Sequence, residues 1–244
     1  DSKTYRPFAA AKKAAVKQLT NALTSGDNCV YVYRDFAMTE NHFTQKAKMA
    51  GTNGNLVKNM DEDCREQPYA GRSCIRCQID TQGTGWGGWL FLNGYLPEGE
   101  TVPKLNDGKQ DGQGIDLSGA QSLRFWARGE NGGERVEFFT AGFGYDGEWN
   151  TPLVPYTDSA IKQSLGFITL TQRWKEYVIP LKRCDMSDIT CGFGYVCSGT
   201  ESGDASNVFY LDEIRFTGKI ASTINAPFML RSYDTENIYI QNAA

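Results

Sequence analysis

The sequence predicts an all-β protein, an antiparallel β-sandwich of the jelly-roll type, preceded by one amphipathic helix. Short runs in which apolar and polar residues alternate recur from residue 29 onward, and turn signals such as Asn-Gly and Asp-Gly separate them. The 26 glycines and the 12% of aromatic residues are typical of a β-rich chain with many turns. Nine alternating runs within about 190 residues favour a sandwich.

The helix is predicted from the alanine-rich and lysine-rich segment that follows Pro7. Apolar residues recur there at near-helical spacing and a Ser-Gly pair ends the pattern. We therefore expect a helical segment over residues 1–27, a sandwich domain over 28–218, and a tail over 219–244 that leads towards a further domain.

The predicted strands follow in the order CVYVYRDF, SCIRCQID, GWLFLNG, SLRFWARG, RVEFFTAGF, GFITL, KEYVIPL, GFGYVC and VFYLDEIRF. Two long connections, residues 39–68 and 93–114, exceed the usual loop length and are candidates for functional loops. In SLRFWARG, alternation places Leu123, Phe125 and Ala127 on one face and the tryptophan and both arginines on the other.

Composition disfavours several classes of function. The formal net charge is −4 and the sequence pI is about 5.2, so a nucleic-acid-binding surface is not expected. No apolar stretch approaches the roughly 18 residues that a membrane-spanning helix needs.

The seven cysteines leave two interpretations open. Cys74 and Cys77 form a C-x-x-C motif in a predicted strand, where residues three apart point to opposite faces, so a shared zinc ion is disfavoured. Cys184 and Cys191 flank a short segment and either form a local disulfide in an exported protein or are free buried thiols.

No catalytic motif stands out. His42 is the single histidine, and the sequence has no G-x-S-x-G elbow, dinucleotide fingerprint or P-loop. Glycoside hydrolysis needs two carboxylates across a cleft. The spacing selects no two of the candidate acidic residues, which are Glu134, Glu137, Asp158 and Glu213.

Aromatic residues beside charged ones point instead to binding of a polar ligand. Exposed rings stack on the C–H faces of sugars while carboxylates and guanidinium groups bond the hydroxyls. Five tryptophans are present, and the faces of SLRFWARG and RVEFFTAG that carry charge also carry Trp126 and Phe139. The alternative is that these two rings belong to the core. The predicted carbohydrate-binding residues are Trp89, Trp126, Arg128, Glu137, Phe139 and Tyr195.

The order of the motifs SGAQSLRFWARGENGGERVEFF, PYTDS, ITLTQRWKEYVIPL, GFGYVC and FYLDEIRF resembles carbohydrate-binding modules with a galactose-binding-like jelly roll, most closely modules similar to family 11. The resemblance covers residues 29–218. It implies a non-catalytic module that binds a plant-type or bacterial polysaccharide or oligosaccharide within a larger exported, secreted or cell-surface bacterial protein, beside a downstream domain. The N-terminal helix and the cysteines depart from the family pattern.

The resemblance also implies a structural calcium ion, with Asp35, the turn around Arg72 and Asp212 as the matching positions and Asn41 as a further oxygen ligand. Calcium prefers six to eight carboxylate and carbonyl oxygens. Strict alternation would place Asp212 on the side of Ile214, opposite Glu213. The alternative is an ion pair of Asp212 with Arg34 or Arg215.

Two other functions remain open from sequence. The chain could be a structural accessory domain that packs on a catalytic domain, or a jelly-roll glycoside hydrolase or lyase.

Overall fold

The computed structural model describes residues 29–50, 57–95, 97–112, 114–147, 149–220, 228–231 and 239–242. The helix predicted over residues 1–27 lies outside the described residues. In chain order the strands and one short helix are β1 (Cys29–Tyr33), β2 (Gln45–Ala50), β3 (Val57–Cys64), β4 (Cys74–Thr81), β5 (Trp86–Leu92), β6 (Gly94–Tyr95), β7 (Lys104–Leu105), β8 (Ala120–Gly129), β9 (Arg135–Thr140), β10 (Gln163–Thr169), β11 (Lys175–Pro180), β12 (Cys191–Ser198), α1 (Gly199–Ser202), β13 (Ala205–Gly218), β14 (Phe228–Arg231) and β15 (Tyr239–Asn242).

Two antiparallel sheets contain most of these strands. In sheet A the order is β11-β8-β13-β4-β3, with β1 also paired to β13, and in sheet B it is β10-β9-β12-β5-β2. Strands β6 and β7 form one small ribbon and β14 and β15 form another. The prediction of an antiparallel β-sandwich is confirmed.

The inner faces of the two sheets share one hydrophobic core. Phe125 of sheet A lies 4.9 Å from Phe138 and 5.2 Å from Phe193 of sheet B, measured between ring centroids. All three rings are fully buried. Side chains alternate along each strand, so every second residue of sheet A or sheet B points away from this core, onto what we call the outer face.

The last strand of the sandwich, β13, contains a bulge that strict alternation does not predict. Asp212 is opposite Trp126 and Arg215 is opposite Arg124. Glu213 and Ile214 of β13 therefore face the single residue Phe125 of β8. Glu213 is the extra residue, with φ of +50°. Asp212, Glu213 and Arg215 therefore lie on the outer face of sheet A and Ile214 lies in the core, which corrects the expectation that Asp212 and Ile214 share a face.

Three segments predicted to be irregular contain strands. Residues 39–68 hold β2 and β3, residues 93–114 hold β6 and β7, and the tail over 219–244 holds the paired strands β14 and β15. In the part of the chain that the structure describes, no helix has the length and apolar character needed to cross a membrane.

Candidate functional site

A cleft of about 700 Å³ lies on the outer face of sheet B. Its volume is in the range of small-molecule binding sites, about 300 to 1,000 Å³. Its aromatic lining residues are Trp86, Phe139, Phe143, Tyr145 and Phe167. The sheet supplies the floor, and the segment that follows β9 supplies one wall.

The floor is formed by side chains of adjacent strands that alternate away from the core. Leu90 of β5, Phe139 of β9 and Val196 of β12 all line the cleft. Gly194 of β12 makes room for the central ring, because a Cβ atom at that position would lie 2.4 Å from the Phe139 ring. The ring therefore lies directly on the sheet, with 7% of its surface exposed.

The wall is a loop over residues 141–154 that closes on itself through backbone hydrogen bonds. Asp146 N–H donates to the Thr151 carbonyl at 2.8 Å, and Leu153 N–H donates to the Gly144 carbonyl at 2.7 Å. The loop presents Phe143 and Tyr145 to the cleft.

Asp158 anchors this wall to sheet B. Its carboxylate accepts hydrogen bonds from the backbone N–H groups of Thr190 at 2.6 Å, Phe143 at 2.9 Å and Cys191 at 3.4 Å. Only 1% of Asp158 is exposed. Burial raises its pKa to about 7 against the opposing effect of the three donors. Because Phe143 and Cys191 both line the cleft, this one side chain holds the wall against the floor.

A polar group lies beside the aromatic floor. Glu137 Oε1 accepts a hydrogen bond from Ser164 Oγ at 2.5 Å and is 3.0 Å from Lys162 Nζ. The ammonium group also lies 5.4 Å from the centroid of the Phe139 ring. The cleft thus combines flat apolar rings with a carboxylate and an ammonium group that can bond to hydroxyls.

Large apolar side chains near the cleft are exposed to solvent. Trp86, which lines the cleft, is 41% exposed, and Leu153 on the wall is 69% exposed. Trp149 lies in the wall loop and is 73% exposed. A concentration of exposed large apolar residues at a cleft is typical of an interaction site.

Two of the six residues predicted to bind carbohydrate line this cleft, namely Glu137 and Phe139. Two others point into the protein. Tyr195 is fully buried in the core, with its ring 5.1 Å from that of Phe209. Trp89 packs against the core from the inner face of β5. Their placement corrects the prediction, because both lie at positions of their strands that alternate inward.

The remaining two, Trp126 and Arg128, lie on the outer face of sheet A, on the opposite side of the sandwich. Trp126 stacks on Tyr69 with 3.7 Å between ring centroids. The Arg128 guanidinium lies 3.7 Å from the centroid of the Tyr210 ring and donates to the Glu66 carbonyl. The prediction assumed that β8 and β9 contribute to one surface. Since β8 belongs to sheet A and β9 to sheet B, their outer faces point in opposite directions.

The carboxylates considered for catalysis do not form a pair across the cleft. Glu134 accepts from the Asn131 N–H at 2.8 Å in the turn before β9, and Asp158 anchors the wall. Glu213 is 3.2 Å from Arg215 on sheet A. Among the described residues that line the cleft, Glu137 is the one carboxylate.

The residues predicted to bind calcium form a hydrogen-bonded network instead. Asp212 Oδ2 accepts from the N–H groups of Tyr69 at 2.8 Å and Ala70 at 3.1 Å, and its Oδ1 accepts from the Glu213 N–H at 2.8 Å. No residue of the described chain belongs to a group of three or more His, Cys, Asp or Glu side chains that could hold a metal.

The side chains of Asp35 and Asn41 also accept hydrogen bonds from the protein itself. The Asp35 carboxylate accepts from the Arg72 N–H and the Phe36 N–H, both at 3.0 Å, and from the Ser73 hydroxyl. Asn41 Oδ1 accepts from the Arg34 N–H at 2.9 Å. Every one of these side-chain oxygens faces a donor, whereas calcium needs oxygens that face the ion. The arrangement does not fit calcium.

Sequence reasoning missed the wall residues Phe143 and Tyr145. The signal was available in AGFGYDGEWNTPLV, where aromatic residues alternate with glycines directly after a predicted strand. Such a segment is too polar for a core strand and too rich in aromatic residues for an ordinary solvated turn.

Comparison with known proteins finds no matching family model and no matching curated protein. Solved structures of carbohydrate-binding modules are similar in architecture. A family 30 module has 16% identity and a TM-score of 0.48, covering 78% of this chain and 99% of that chain. A family 30 module of a cellulosomal cellulase of Clostridium thermocellum has 17% identity and a TM-score of 0.46, covering 78% and 98%.

A family 11 module from Clostridium thermocellum, solved with a beta-1,3-1,4-mixed-linked tetrasaccharide, has 13% identity and a TM-score of 0.43, covering 72% of this chain and 91% of that chain. Family 11 is the family that the motif order resembles. The likeness is one of fold, and the function is argued from the cleft itself.

Proposed function

We propose that this chain binds a polysaccharide or oligosaccharide, without catalysing a reaction, in the cleft on the outer face of sheet B. The observation that supports the proposal is the combination of aromatic rings with the Glu137 and Lys162 pair in a cleft of about 700 Å³. A pyranose ring has two apolar C–H faces and a polar rim of hydroxyls, so it matches a surface on which flat rings lie beside a carboxylate and an ammonium group.

The position of Glu137 suits hydroxyl recognition. Its side chain is 13% exposed and that of Lys162 is 39% exposed, so both are partly covered yet reachable from the cleft. The carboxylate accepts from a sugar hydroxyl and the ammonium group donates to one. The Glu137 carboxylate is held in position by two contacts, since it accepts from the Ser164 hydroxyl and pairs with Lys162. Preorganised polar groups of this kind reduce the entropy lost on binding.

Binding is favoured over hydrolysis by the acidic residues of the cleft. Glycoside hydrolysis uses two carboxyl groups that flank the scissile bond. The described lining contains Glu137, which is already paired with Lys162. We include in the proposal that the glycan is a plant-type or bacterial polysaccharide, and that the chain acts as a module of a larger exported glycan-degrading protein with a downstream domain.

Affinity electrophoresis against soluble β-glucan, xyloglucan, mannan and xylan tests the proposal. We expect retardation by at least one glycan. Trp86→Ala is expected to weaken binding about tenfold, equal to about 1.4 kcal/mol. Trp126→Ala is the matched control, since it removes a tryptophan from the outer face of sheet A and is expected to leave retardation unchanged.

Three outcomes would contradict the proposal. Absence of retardation by every glycan, for protein whose circular dichroism confirms folding, would favour a structural accessory domain. Loss of binding in Trp126→Ala but not in Trp86→Ala would move the site to sheet A. Release of reducing sugar from any glycan in the panel would favour a hydrolase.

A further inference from the structure

The loop over residues 65–73 connects β3 to β4 and covers part of the outer face of sheet A. Tyr69 of this loop stacks on Trp126, and the N–H groups of Tyr69 and Ala70 donate to Asp212. The Arg72 N–H donates to Asp35. The loop is therefore attached to the sheet at several points along its length, and a cysteine flanks each end.

Cys64 and Cys74 are directly opposite each other in the register of β3 and β4. Directly opposed residues of an antiparallel pair have Cα atoms about 4.5 to 5.5 Å apart. Disulfides join Cα atoms about 4.4 to 6.8 Å apart, so the strand register alone gives a spacing that a disulfide accepts.

The two side chains also point to the same side. Both pack in a small buried cluster with Tyr210, on the outer face of sheet A and separate from the main core. The two thiols are close enough to hydrogen-bond to each other. Formation of an S–S bond therefore needs rotation of the side chains and no movement of the strands.

The other cysteines are placed differently. Cys191 packs with Leu92 and Phe139 beneath the cleft, while Cys184 packs against the main core, so the local disulfide considered from sequence joins residues of separate clusters. Cys77 lies in the main core, on the opposite face of β4 from Cys74, as alternation predicts.

We propose that Cys64 and Cys74 are a disulfide-forming site, and that their oxidation fastens the loop over residues 65–73 to sheet A. The structure contains both residues as thiols. The oxidant is a small-molecule or protein disulfide, of which oxidised glutathione is the simplest example. This inference is independent of the proposed glycan binding, since the loop and the cleft lie on opposite sheets.

The reaction balances as two thiol–disulfide exchanges. One cysteine thiolate attacks a sulfur of oxidised glutathione, forming a mixed disulfide and releasing one glutathione thiolate. The second cysteine thiolate then attacks the protein sulfur of the mixed disulfide and releases the second glutathione thiolate. The two protein thiols lose two protons and two electrons, and one glutathione disulfide becomes two glutathione thiols.

Burial determines when this exchange takes place. The pKa of the Cys74 thiol is raised well above its usual value, with burial as the main cause and the neighbouring Cys64 as the next. Because the thiolate is the nucleophile, the folded protein reacts slowly. We expect the bond to form during folding, or when the loop opens.

Peptide mapping tests the inference. The protein is unfolded and reduced, refolded in a mixture of reduced and oxidised glutathione, alkylated and digested with trypsin. Cleavage after Lys58, Arg65, Arg72 and Arg76 isolates Cys64 in residues 59–65 and Cys74 in residues 73–76, apart from Cys77. We expect these two peptides to be recovered as one disulfide-linked species that separates on reduction.

Controls separate this pairing from random oxidation. Cys64→Ser must abolish the linked species, whereas Cys184→Ser, which removes a cysteine outside the cluster, must leave it intact. Recovery of both peptides in alkylated form, or linkage of either to another cysteine, would overturn the proposed site.

Limited proteolysis tests the effect on the loop. Arg65 and Arg72 are exposed cleavage sites within it. We expect native oxidised protein to be cut there about tenfold more slowly than native reduced protein, because cleavage requires local opening that the cross-link restricts. Equal rates in the two forms would refute the fastening of the loop, even if the linked peptide is found.

Discussion

Removal of the Asp158 carboxylate is expected to damage both stability and glycan binding, because one side chain joins the wall of the cleft to its floor. In Asp158→Ala the backbone N–H groups of Phe143, Thr190 and Cys191 lose their acceptor. The carboxylate is 1% exposed, so water does not readily take its place. Loss of the acceptor leaves buried donors without partners, the usual cause of large destabilisation.

The size of the expected stability loss follows from the three hydrogen bonds that Asp158 accepts. A buried donor left unsatisfied costs about 1 to 3 kcal/mol, and the Cys191 contact at 3.4 Å is long and contributes least. Burial of the carboxylate is itself unfavourable, as its pKa of about 7 indicates, and its removal recovers part of the loss. We expect a net decrease of about 3 kcal/mol in the free energy of unfolding. For a domain of this size the midpoint of thermal unfolding falls by about 6 to 12 °C.

Urea unfolding at pH 7, followed by tryptophan fluorescence, measures the change. Asp158→Asn keeps one acceptor oxygen and is expected to lose about half as much. Asp116→Ala is the matched control, since Asp116 is exposed and accepts one N–H, that of Ser118, at 2.8 Å. The control is expected to lose less than about 1 kcal/mol.

The glycan affinity of Asp158→Ala should fall as well, measured below the unfolding transition. If Asp158→Ala and Asp116→Ala lost equal stability, or if Asp158→Ala kept wild-type affinity, the carboxylate would not anchor the wall and the reasoning would fail.

Three further predictions concern acidity, packing and metal. The free energy of unfolding should rise by about 2 kcal/mol as pH falls from 7.5 to 5.5. Asp158 and Asp212, with folded pKa values of about 7 and unfolded values of about 3.8, together contribute about 4 kcal/mol, and His42, whose pKa is lowered to about 4 by burial, offsets about 1.4 kcal/mol of that; a fall in stability over that range would contradict this. Gly88→Ala should prevent folding, since the new Cβ would lie 1.8 Å from the Tyr195 carbonyl oxygen; a soluble variant with a wild-type circular dichroism spectrum would contradict it. Chelator should leave the midpoint of thermal unfolding unchanged. Elemental analysis that finds one calcium per chain would show that Asp35, Asn41 and Asp212 do more than accept hydrogen bonds, and would refute this prediction.

Alternation within a strand was predictable from sequence because it follows from backbone geometry. Leu123, Phe125 and Ala127 are all fully buried, as the pattern in SLRFWARG predicts. Membership of a sheet was not predictable in the same way. The short turn between β8 and β9 suggests a hairpin, yet β8 pairs with β11 and β13, while β9 pairs with β10 and β12. The pattern within each strand is identical for either arrangement, so the predicted site was divided between two surfaces.

The bulge at Glu213 was also not predictable from strict alternation. Strict alternation places Leu211 on the face opposite Ile214 and Phe216, yet all three side chains are buried, because the extra residue Glu213 returns Ile214 and Phe216 to the core face. A non-glycine residue with φ of +50° is uncommon, and no local sequence pattern predicts this conformation at Glu213. The register with β8 determines it, and that register is a tertiary property.

Asp212 fastens the loop over residues 65–73 to sheet A through backbone hydrogen bonds to its buried carboxylate. Three backbone N–H groups stabilise its charged form and lower its pKa, but burial has the larger effect and the pKa rises to about 7. The difference in pKa between the closed and the open loop determines how pH affects closure. When the loop over residues 65–73 opens, the carboxyl becomes solvated and its pKa returns towards about 3.8, so between these values the closed loop holds the proton more tightly.

Acidification therefore favours the closed loop, although it removes the negative charge that the N–H groups face. The closed state depends on the hydrogen bonds and on the stacking of Tyr69 on Trp126 more than on the charge of Asp212. Binding of a divalent cation would have the opposite pH dependence, since the cation binds the ionised carboxylate and lowers its pKa. Once formed, a disulfide between Cys64 and Cys74 has no titratable group and needs no ionised ligand, and it holds the same loop at its two ends.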